Sequence, residues 1–169
     1  MSEMGYMRSA EKPNVTVKRL GLEDLDLLME WRERVLRDVF ELADDASIDE
    51  LMANNRSYYE RHLLDGSHVT VLALDAEQRD EPIGCGALCL YDEMPSPDNP
   101  TGLCAYLMNM YTVPAARKQG VAGVLVDWLV EYARKAGAGK IYLETTDDAR
   151  GVYSARGFIE MEDYLKLGE

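Results

Sequence analysis

The residues best suited to chemistry lie between positions 110 and 123, which read MYTVPAARKQGVAG. Arg117 and Lys118 bring two positive charges to a turn that ends at Gly120. The pattern predicts a helix directly after this turn, and the first amides of a helix lack internal acceptors and carry partial positive charge. Small residues near the helix start leave room for a ligand. These features predict a site for a diphosphate.

Two common phosphate sites are excluded by the residues around this turn. A Walker loop needs Gly-Lys-Ser/Thr, whereas Gly120 is followed by Val121 and Ala122. A Rossmann turn needs G-x-G-x-x-G after the first strand, and this pattern is absent. A surface turn that only caps a core helix is the structural alternative.

The elements that position the turn are visible on both sides of it. Residues 103–113 form an apolar run that ends before Pro114, which is typical of a strand. After the turn, apolar residues recur at helical spacing up to Gly137, with positive charge in the last turn. The predicted buried face consists of Val121, Val124, Leu125, Trp128, Leu129 and Tyr132.

Two segments carry a resemblance to the GCN5-related N-acetyltransferases, the GNAT family. Residues 113–123 resemble the pyrophosphate loop Arg/Gln-x-x-Gly-x-Gly/Ala, with Arg117, Gly120 and Ala122 at the matching positions. Residues 153–158, YSARGF, resemble the Tyr-x-x-x-Gly-Phe signature that follows the fifth strand of the family. Two motifs in the right order around a predicted strand are more specific than either one alone.

The resemblance implies the GNAT fold, an α/β protein with a mixed α+β sheet of about six to seven strands and about four helices. It implies transfer of an acetyl group from acetyl-CoA, as co-substrate, directly to an amine in a ternary complex. In the family, the pantetheine arm pairs with the fourth strand where that strand splays from the fifth. The matching cofactor-binding positions are Met110, Tyr111, Thr112, Arg117, Lys118, Gln119, Gly120, Val121, Ala122, Gly123 and Thr146.

The resemblance also assigns a general acid. Tyr153 occupies the family position whose hydroxyl protonates the leaving CoA thiolate, and the alternative is a core aromatic residue. The base that deprotonates the amine is not assigned by the motifs. Glu144 is a candidate if it faces the cleft, whereas structural roles suit Asp92, Glu93 and Asp147 better.

Four positions depart from the family pattern. Lys118 and Ala122 stand where glycine is usual, and Thr112 stands where valine is common. Binding through backbone atoms tolerates these three changes. Thr146 stands where many members place an asparagine that contacts the cofactor, which puts that one contact in doubt.

Composition bounds the class of protein. The 169 residues predict a flexible tail over residues 1–13 and a single domain over residues 14–169. A net charge of −13 argues against nonspecific nucleic-acid binding. No apolar run approaches the ~20 residues of a membrane span, and the expected location is the cytoplasm. The three cysteines, Cys85, Cys89 and Cys104, are expected to be free thiols packed in the core, and no metal site is predicted.

Periodicity and breakers predict the remaining elements. They are strands at 15–20, 68–74, 82–91 and 140–146, helices at 22–40, 48–64 and 149–156, a loop at 92–102, and a terminal hairpin at 158–161 and 164–167. Ser47 and Glu50 match a capping box for the second helix. Arg32 falls on the apolar face of the first helix. It either extends its charged end to solvent or contacts the substrate or a strand carboxylate.

Three alternatives stay open at this stage. The fold could serve a non-catalytic acyl-CoA sensor or interaction module, because fold does not fix chemistry. A longer acyl chain could be transferred if there is room near Cys85, Cys89 and Met108. Many members of the family dimerise, so the resemblance also admits a homodimer. The acceptor is expected to be an amine on a small molecule or protein.

Overall fold

The computed structural model describes residues 14–168, and the tail predicted over residues 1–13 lies outside the described residues. The elements are β1 (Val15–Leu20), α1 (Leu25–Val39), α2 (Asp49–Leu64), β2 (His68–Asp75), β3 (Glu81–Asp92), β4 (Leu103–Thr112), α3 (Val121–Lys135), β5 (Lys140–Leu143) and α4 (Asp147–Ser154). Short 3₁₀ turns precede α1 at Leu22–Asp24 and follow β4 at Pro114–Ala116.

The five strands form one sheet in the order β1-β2-β3-β4-β5. β1 to β4 pair antiparallel, whereas β5 runs parallel to β4. A parallel neighbour needs a crossover connection, and α3 supplies it. The mixed α/β fold with four helices is therefore confirmed, although the described residues form five strands rather than six to seven.

The terminal hairpin predicted at 158–161 and 164–167 is wrong. Residues 158–168 contain no strand, and the side chains of Ile159, Leu165 and Leu167 are at least 89% exposed. A two-stranded hairpin is stable only when it buries one apolar face. Here the alternating apolar residues have no surface to cover, so the pattern alone does not produce strands.

Two apolar cores lie on opposite faces of the sheet. On one face, α3 packs through half of its predicted stripe: Val121, Leu125 and Leu129 are buried, whereas Val124, Trp128 and Tyr132 are only partly buried. On the other face, α1 and α2 cover the sheet with Trp31 and Tyr59. The sheet therefore separates a face that carries the start of α3 from a face that carries the two early helices.

The early helices differ from prediction at their ends. The capping box does not form, because the Ser47 hydroxyl donates to the Asp49 carboxylate at 3.2 Å instead of accepting from a helix amide. Val39 and Leu51 belong to the apolar pattern of their helices but are 56% and 42% exposed. Both stand at helix ends, where the apolar pattern runs past the core.

The cysteines are free thiols, and the predicted burial holds for Cys85 and Cys104, whereas Cys89 is partly exposed. Within residues 14–168 no group of three or more His, Cys, Asp or Glu side chains is placed to hold a metal ion. No helix in this part of the chain is both long and apolar enough to cross a membrane.

Candidate functional site

The site begins where β4 and β5 part. The two strands pair from Cys104 with Lys140 to Leu107 with Leu143, where β5 ends. β4 continues to Thr112, so no described strand pairs with residues 108–112 on the β5 side. Unpaired backbone N–H and C=O groups on a strand edge can bind an extended ligand as if it were another strand.

A β-bulge in β4 coincides with this opening. The register between β3 and β4 shifts there, so that Gly86 of β3 faces both Asn109 and Met110 of β4. Asn109 adopts a left-handed conformation with φ 54°, which asparagine tolerates better than most residues. Bulges bend the strand that contains them, and this bulge occurs where β4 leaves β5.

The turn after β4 presents a run of free amides, which we call the amide cradle (residues 118–123). Gly120 has φ 85° and is the N-cap of α3, with no side-chain cap. The Arg117 amide donates to Pro114 and the Val124 amide to Gly120, but no described residue accepts from the amides between them. Such a run at a helix start, with converging N–H groups, suits a diphosphate.

Side chains next to the amide cradle donate hydrogen bonds to backbone carbonyls of the turn. Arg117 Nε donates to the Thr112 carbonyl at 3.1 Å, and its guanidinium lies 5.9 Å from the centre of the Tyr111 ring. Gln119 Nε2 donates to the Ala115 carbonyl at 2.9 Å. Lys118 is exposed with φ 61°, a backbone conformation that glycine adopts more readily than lysine.

Tyr111 anchors the end of β4 to α1. Its ring packs edge-on against Trp31 with 6.4 Å between centroids, and its hydroxyl donates to the Asp38 carboxylate. Burial, followed by this hydrogen bond, raises the pKa of Tyr111. The side chain is thus engaged on the α1 face, so only the backbone of Tyr111 is available to a ligand at the opening.

Arg156, inside the second motif, joins α4 to the start of α3. Its Nε lies 3.1 Å from the Gly123 carbonyl and 2.7 Å from Asp127 Oδ1. A Cβ at Gly123 would lie 2.0 Å from Arg156 Nη2, so the absent side chain makes room for the arginine rather than for a ligand. The sequence analysis did not predict this contact. The sequence feature that could have indicated it is a glycine inside α3, Gly123, together with an arginine inside the second motif, Arg156.

Tyr153 lies in α4 and packs edge-on against Phe158, with 5.9 Å between ring centroids. The residue is 8% exposed, and burial raises the pKa of its hydroxyl. None of the described residues hydrogen-bonds this hydroxyl. A phenol that stays protonated and makes no internal hydrogen bond can donate a proton to a ligand.

The candidate bases separate into two groups. Glu144 directly follows β5 and is exposed, and its charge, after burial, raises the pKa of Tyr106 on β4. Glu144 therefore lies near the opening. Asp92 is the last residue of β3 and Glu93 follows it, so both lie beside the start of β4, about 30 Å from its other end at ~3.3 Å per residue. Glu93 pairs with Lys140 at 3.0 Å.

Asp147 and Thr146 stand at the start of α4. Thr146 is the exposed N-cap residue, and Asp147 pairs with Arg150 at 3.1 Å, as suits an acidic group in a first helical turn. A groove of about 730 Å³ runs along β5 and α4. Its lining includes Tyr153 and Glu144, and Glu144 is the residue that directly follows β5 where β4 and β5 part.

Comparison with known proteins gives one family and one fold. The acetyltransferase (GNAT) family model matches residues 27–158. A predicted acetyltransferase from Clostridium acetobutylicum, solved with acetyl-CoA, is 28% identical with a TM-score of 0.76 over 91% of this chain and 96% of that chain. No curated protein sequence matches this chain significantly.

Two further structures share the fold at lower identity. A GCN5-related N-acetyltransferase from Ralstonia eutropha is 21% identical, with a TM-score of 0.73 over 90% of this chain and 97% of that one. The glucosamine-6-phosphate N-acetyltransferase of Arabidopsis thaliana is 12% identical, with a TM-score of 0.66 over 91% and 97%.

Proposed function

This chain belongs to the GNAT acetyltransferase family, and from that premise we propose that it transfers an acetyl group from acetyl-CoA directly to a primary amine. Acetyl-CoA-dependent acetyl transfer follows from the family. The amine acceptor, on a small molecule or a protein, and the direct transfer in a ternary complex are the proposed parts.

The observation that carries the proposal is the amide cradle beside the open end of β4. The cradle suits the two phosphates of coenzyme A, because its amides lack acceptors among the described residues. The unpaired edge of residues 110–112 suits the amide-bearing pantetheine arm. An N–H group of this edge can also donate to the thioester oxygen as negative charge develops on it.

Two side chains complete the proposed chemistry. A bond forms between the amine nitrogen and the acetyl carbon while the carbon–sulfur bond breaks. Tyr153 gives its hydroxyl proton to the departing sulfur, and Glu144, directly or through water, takes the proton that the amine loses. Because a thiol has a pKa near 8.5, the thiolate is a fair leaving group, and Tyr153 assists the reaction rather than making it feasible.

Replacing Tyr153 by phenylalanine tests this mechanism. We expect kcat to fall by about 10- to 100-fold, at or below the low end of general-acid effects, while the Kd for acetyl-CoA stays within twofold. Tyr132→Phe is the matched control, because Tyr132 is a half-buried tyrosine of α3 that stacks on Trp128. An unchanged kcat in Tyr153→Phe would remove the tyrosine from the mechanism.

A screen of amine acceptors tests the activity itself. We expect turnover, followed by release of the free thiol, with at least one class among polyamines, amino acids, aminoglycosides and peptide N-termini. Tight acetyl-CoA binding without turnover on any of these amines would contradict the proposal and favour an acyl-CoA sensor. Faster transfer from longer acyl-CoAs than from acetyl-CoA would contradict the acetyl specificity.

A further inference from the structure

Arg32 of α1 connects three parts of the molecule at the bulge of β4. Its Nη1 donates to Asn109 Oδ1 at 2.7 Å, and its Nε donates to Asn55 Oδ1 of α2 at 2.8 Å. The sequence analysis left open a contact with a strand carboxylate. The structure instead places a neutral strand amide against the guanidinium.

Both amide partners are oriented by further contacts. Asn55 Nδ2 donates to the Leu51 carbonyl at 2.8 Å, and Asn109 Nδ2 lies 3.9 Å from the Cys85 sulfur. Each asparagine therefore directs its oxygen toward Arg32. These contacts fix the position of the half-buried guanidinium while leaving other N–H donors of its fork available.

The charge of Arg32 is not neutralised by any carboxylate among residues 14–168. Two other arginines of the early helices are paired, Arg37 with Glu33 at 2.9 Å and Arg56 with Asp26 at 3.0 Å. Arg34 and Arg61 make no ion pair with a described residue either, but both are exposed, whereas Arg32 is half-buried. A partly buried charge without a counterion is costly, and the arginine fork matches the geometry of a carboxylate. Within a chain whose net charge is −13, the oriented guanidinium of Arg32, which has no ion-pair partner, is a local site of positive charge.

The position of Arg32 connects it to the reaction. Asn109 immediately precedes the backbone edge at residues 110–112, which is proposed to hold the thioester end of the cofactor. α3 and the cradle lie on the opposite face of the sheet from α1 and α2. An acceptor that approaches from the α1 face therefore meets Arg32 beside the bulge.

We propose that Arg32 binds a carboxylate of the acceptor, so that the substrate class is a small amino carboxylate. The carboxylate is held by the guanidinium, and the primary amine of the same molecule extends to the acetyl carbon at the opening. This inference rests on the proposed function, because it names the acceptor of the same transfer.

Matched acceptor pairs test it. Glycine, β-alanine and γ-aminobutyrate are each compared with their carboxamides in steady-state assays. We expect kcat/KM to be at least tenfold higher for one or more amino carboxylates than for its carboxamide. Arg32→Gln should abolish this preference by raising KM for the carboxylate, while kcat/KM for the carboxamide stays within about threefold. Arg37→Gln, which removes a paired arginine from the same helix, should keep the preference.

Several outcomes would overturn the inference. Equal losses with carboxylate and carboxamide in Arg32→Gln would assign Arg32 a purely structural role at the bulge. Equal rates for both acceptors with the unmodified enzyme would also reject the inference, while leaving the proposed amine transfer intact. Acetyl-CoA binding without turnover on any amine would reject both.

A measurement on the unmodified protein covers the case in which Arg32→Gln fails to fold. Acetate, propionate and butyrate have the carboxylate but lack the amine. We expect at least one of them to inhibit turnover competitively against the acceptor and not against acetyl-CoA. Absence of such inhibition up to 100-fold above the acceptor KM would contradict the site.

Discussion

At the scale of single residues, the amide cradle depends on backbone angles that few residues adopt. Gly120 has φ 85° and Lys118 has φ 61°, both in the left-handed region. Only glycine enters this region without a steric cost of about 1–2 kcal/mol. The conformation at Gly120 turns the chain into α3 and leaves the amides before and after it without acceptors. The Arg-x-x-Gly spacing of the sequence thus encodes a backbone shape as well as two charges.

Replacing Gly120 by valine should weaken acetyl-CoA binding at least tenfold, about 1.4 kcal/mol, because the side chain both strains the turn and intrudes on the diphosphate. The measurement is calorimetric titration with acetyl-CoA. Gly137→Val is the matched control, since Gly137 ends the same helix with φ 90° and a Cβ there meets nothing within 4 Å. Both variants should lose stability, and only Gly120→Val should lose affinity. Equal affinities would reject the cradle as the diphosphate site.

At the scale of elements, hydrophobic periodicity located the strands and helices well, because each element buries one regular face. Periodicity failed to predict the end of a strand or a bulge where that feature depends on a strand distant in sequence. β5 was predicted to reach Thr146 but ends at Leu143, because β4 diverges there. The bulge at Asn109 depends on the register between β3 and β4, and Arg32 finds its amide partner only through the bulge. The residues of the cradle were therefore predictable from the sequence pattern, whereas the opening beside it was implied only by the family resemblance.

The close packing of β3 under the site gives a test of this geometry. A Cβ at Gly84 would lie 2.8 Å from the Tyr111 carbonyl oxygen and 3.2 Å from Val121 Cγ1. Gly84→Ala must therefore displace the end of β4 or the first residue of α3. We expect a loss of about 1–3 kcal/mol in the free energy of unfolding by denaturant, together with weaker acetyl-CoA binding.

Gly151→Ala is the matched control in α4, where a Cβ meets nothing within 4 Å. Alanine is a better helix former than glycine, so this variant should be more stable by about 0.5–1 kcal/mol with unchanged acetyl-CoA affinity. If Gly84→Ala left both the free energy of unfolding and the acetyl-CoA affinity unchanged, the close packing of β3 against β4 and α3 would be refuted.

At the scale of the whole molecule, stability should depend on pH through one buried histidine on the α1–α2 side of the sheet. His68 is 3% exposed, and its Nδ1 lies 3.1 Å from the Tyr58 hydroxyl. Burial, followed by the positive charges of His62 and Arg32, lowers the pKa of His68 to about 4. No described group bonds its Nε2, which fits a neutral ring with no counterion.

The direction of the pH effect follows from linkage. In the unfolded chain His68 takes up a proton below about pH 6.5, whereas in the folded protein it resists protonation until about pH 4. The unfolded state therefore binds more protons in this window, and stability falls as pH decreases from 6.5 to 4, by up to about 3 kcal/mol. Urea unfolding at pH 7, 6 and 5 measures the slope before the carboxylates titrate. His68→Gln should flatten this slope. His62→Gln removes a charge that lowers the pKa of His68 but leaves burial, the larger cause, in place, so it should reduce the slope only in part. An unchanged slope in His68→Gln would show that His68 is protonated in the folded state.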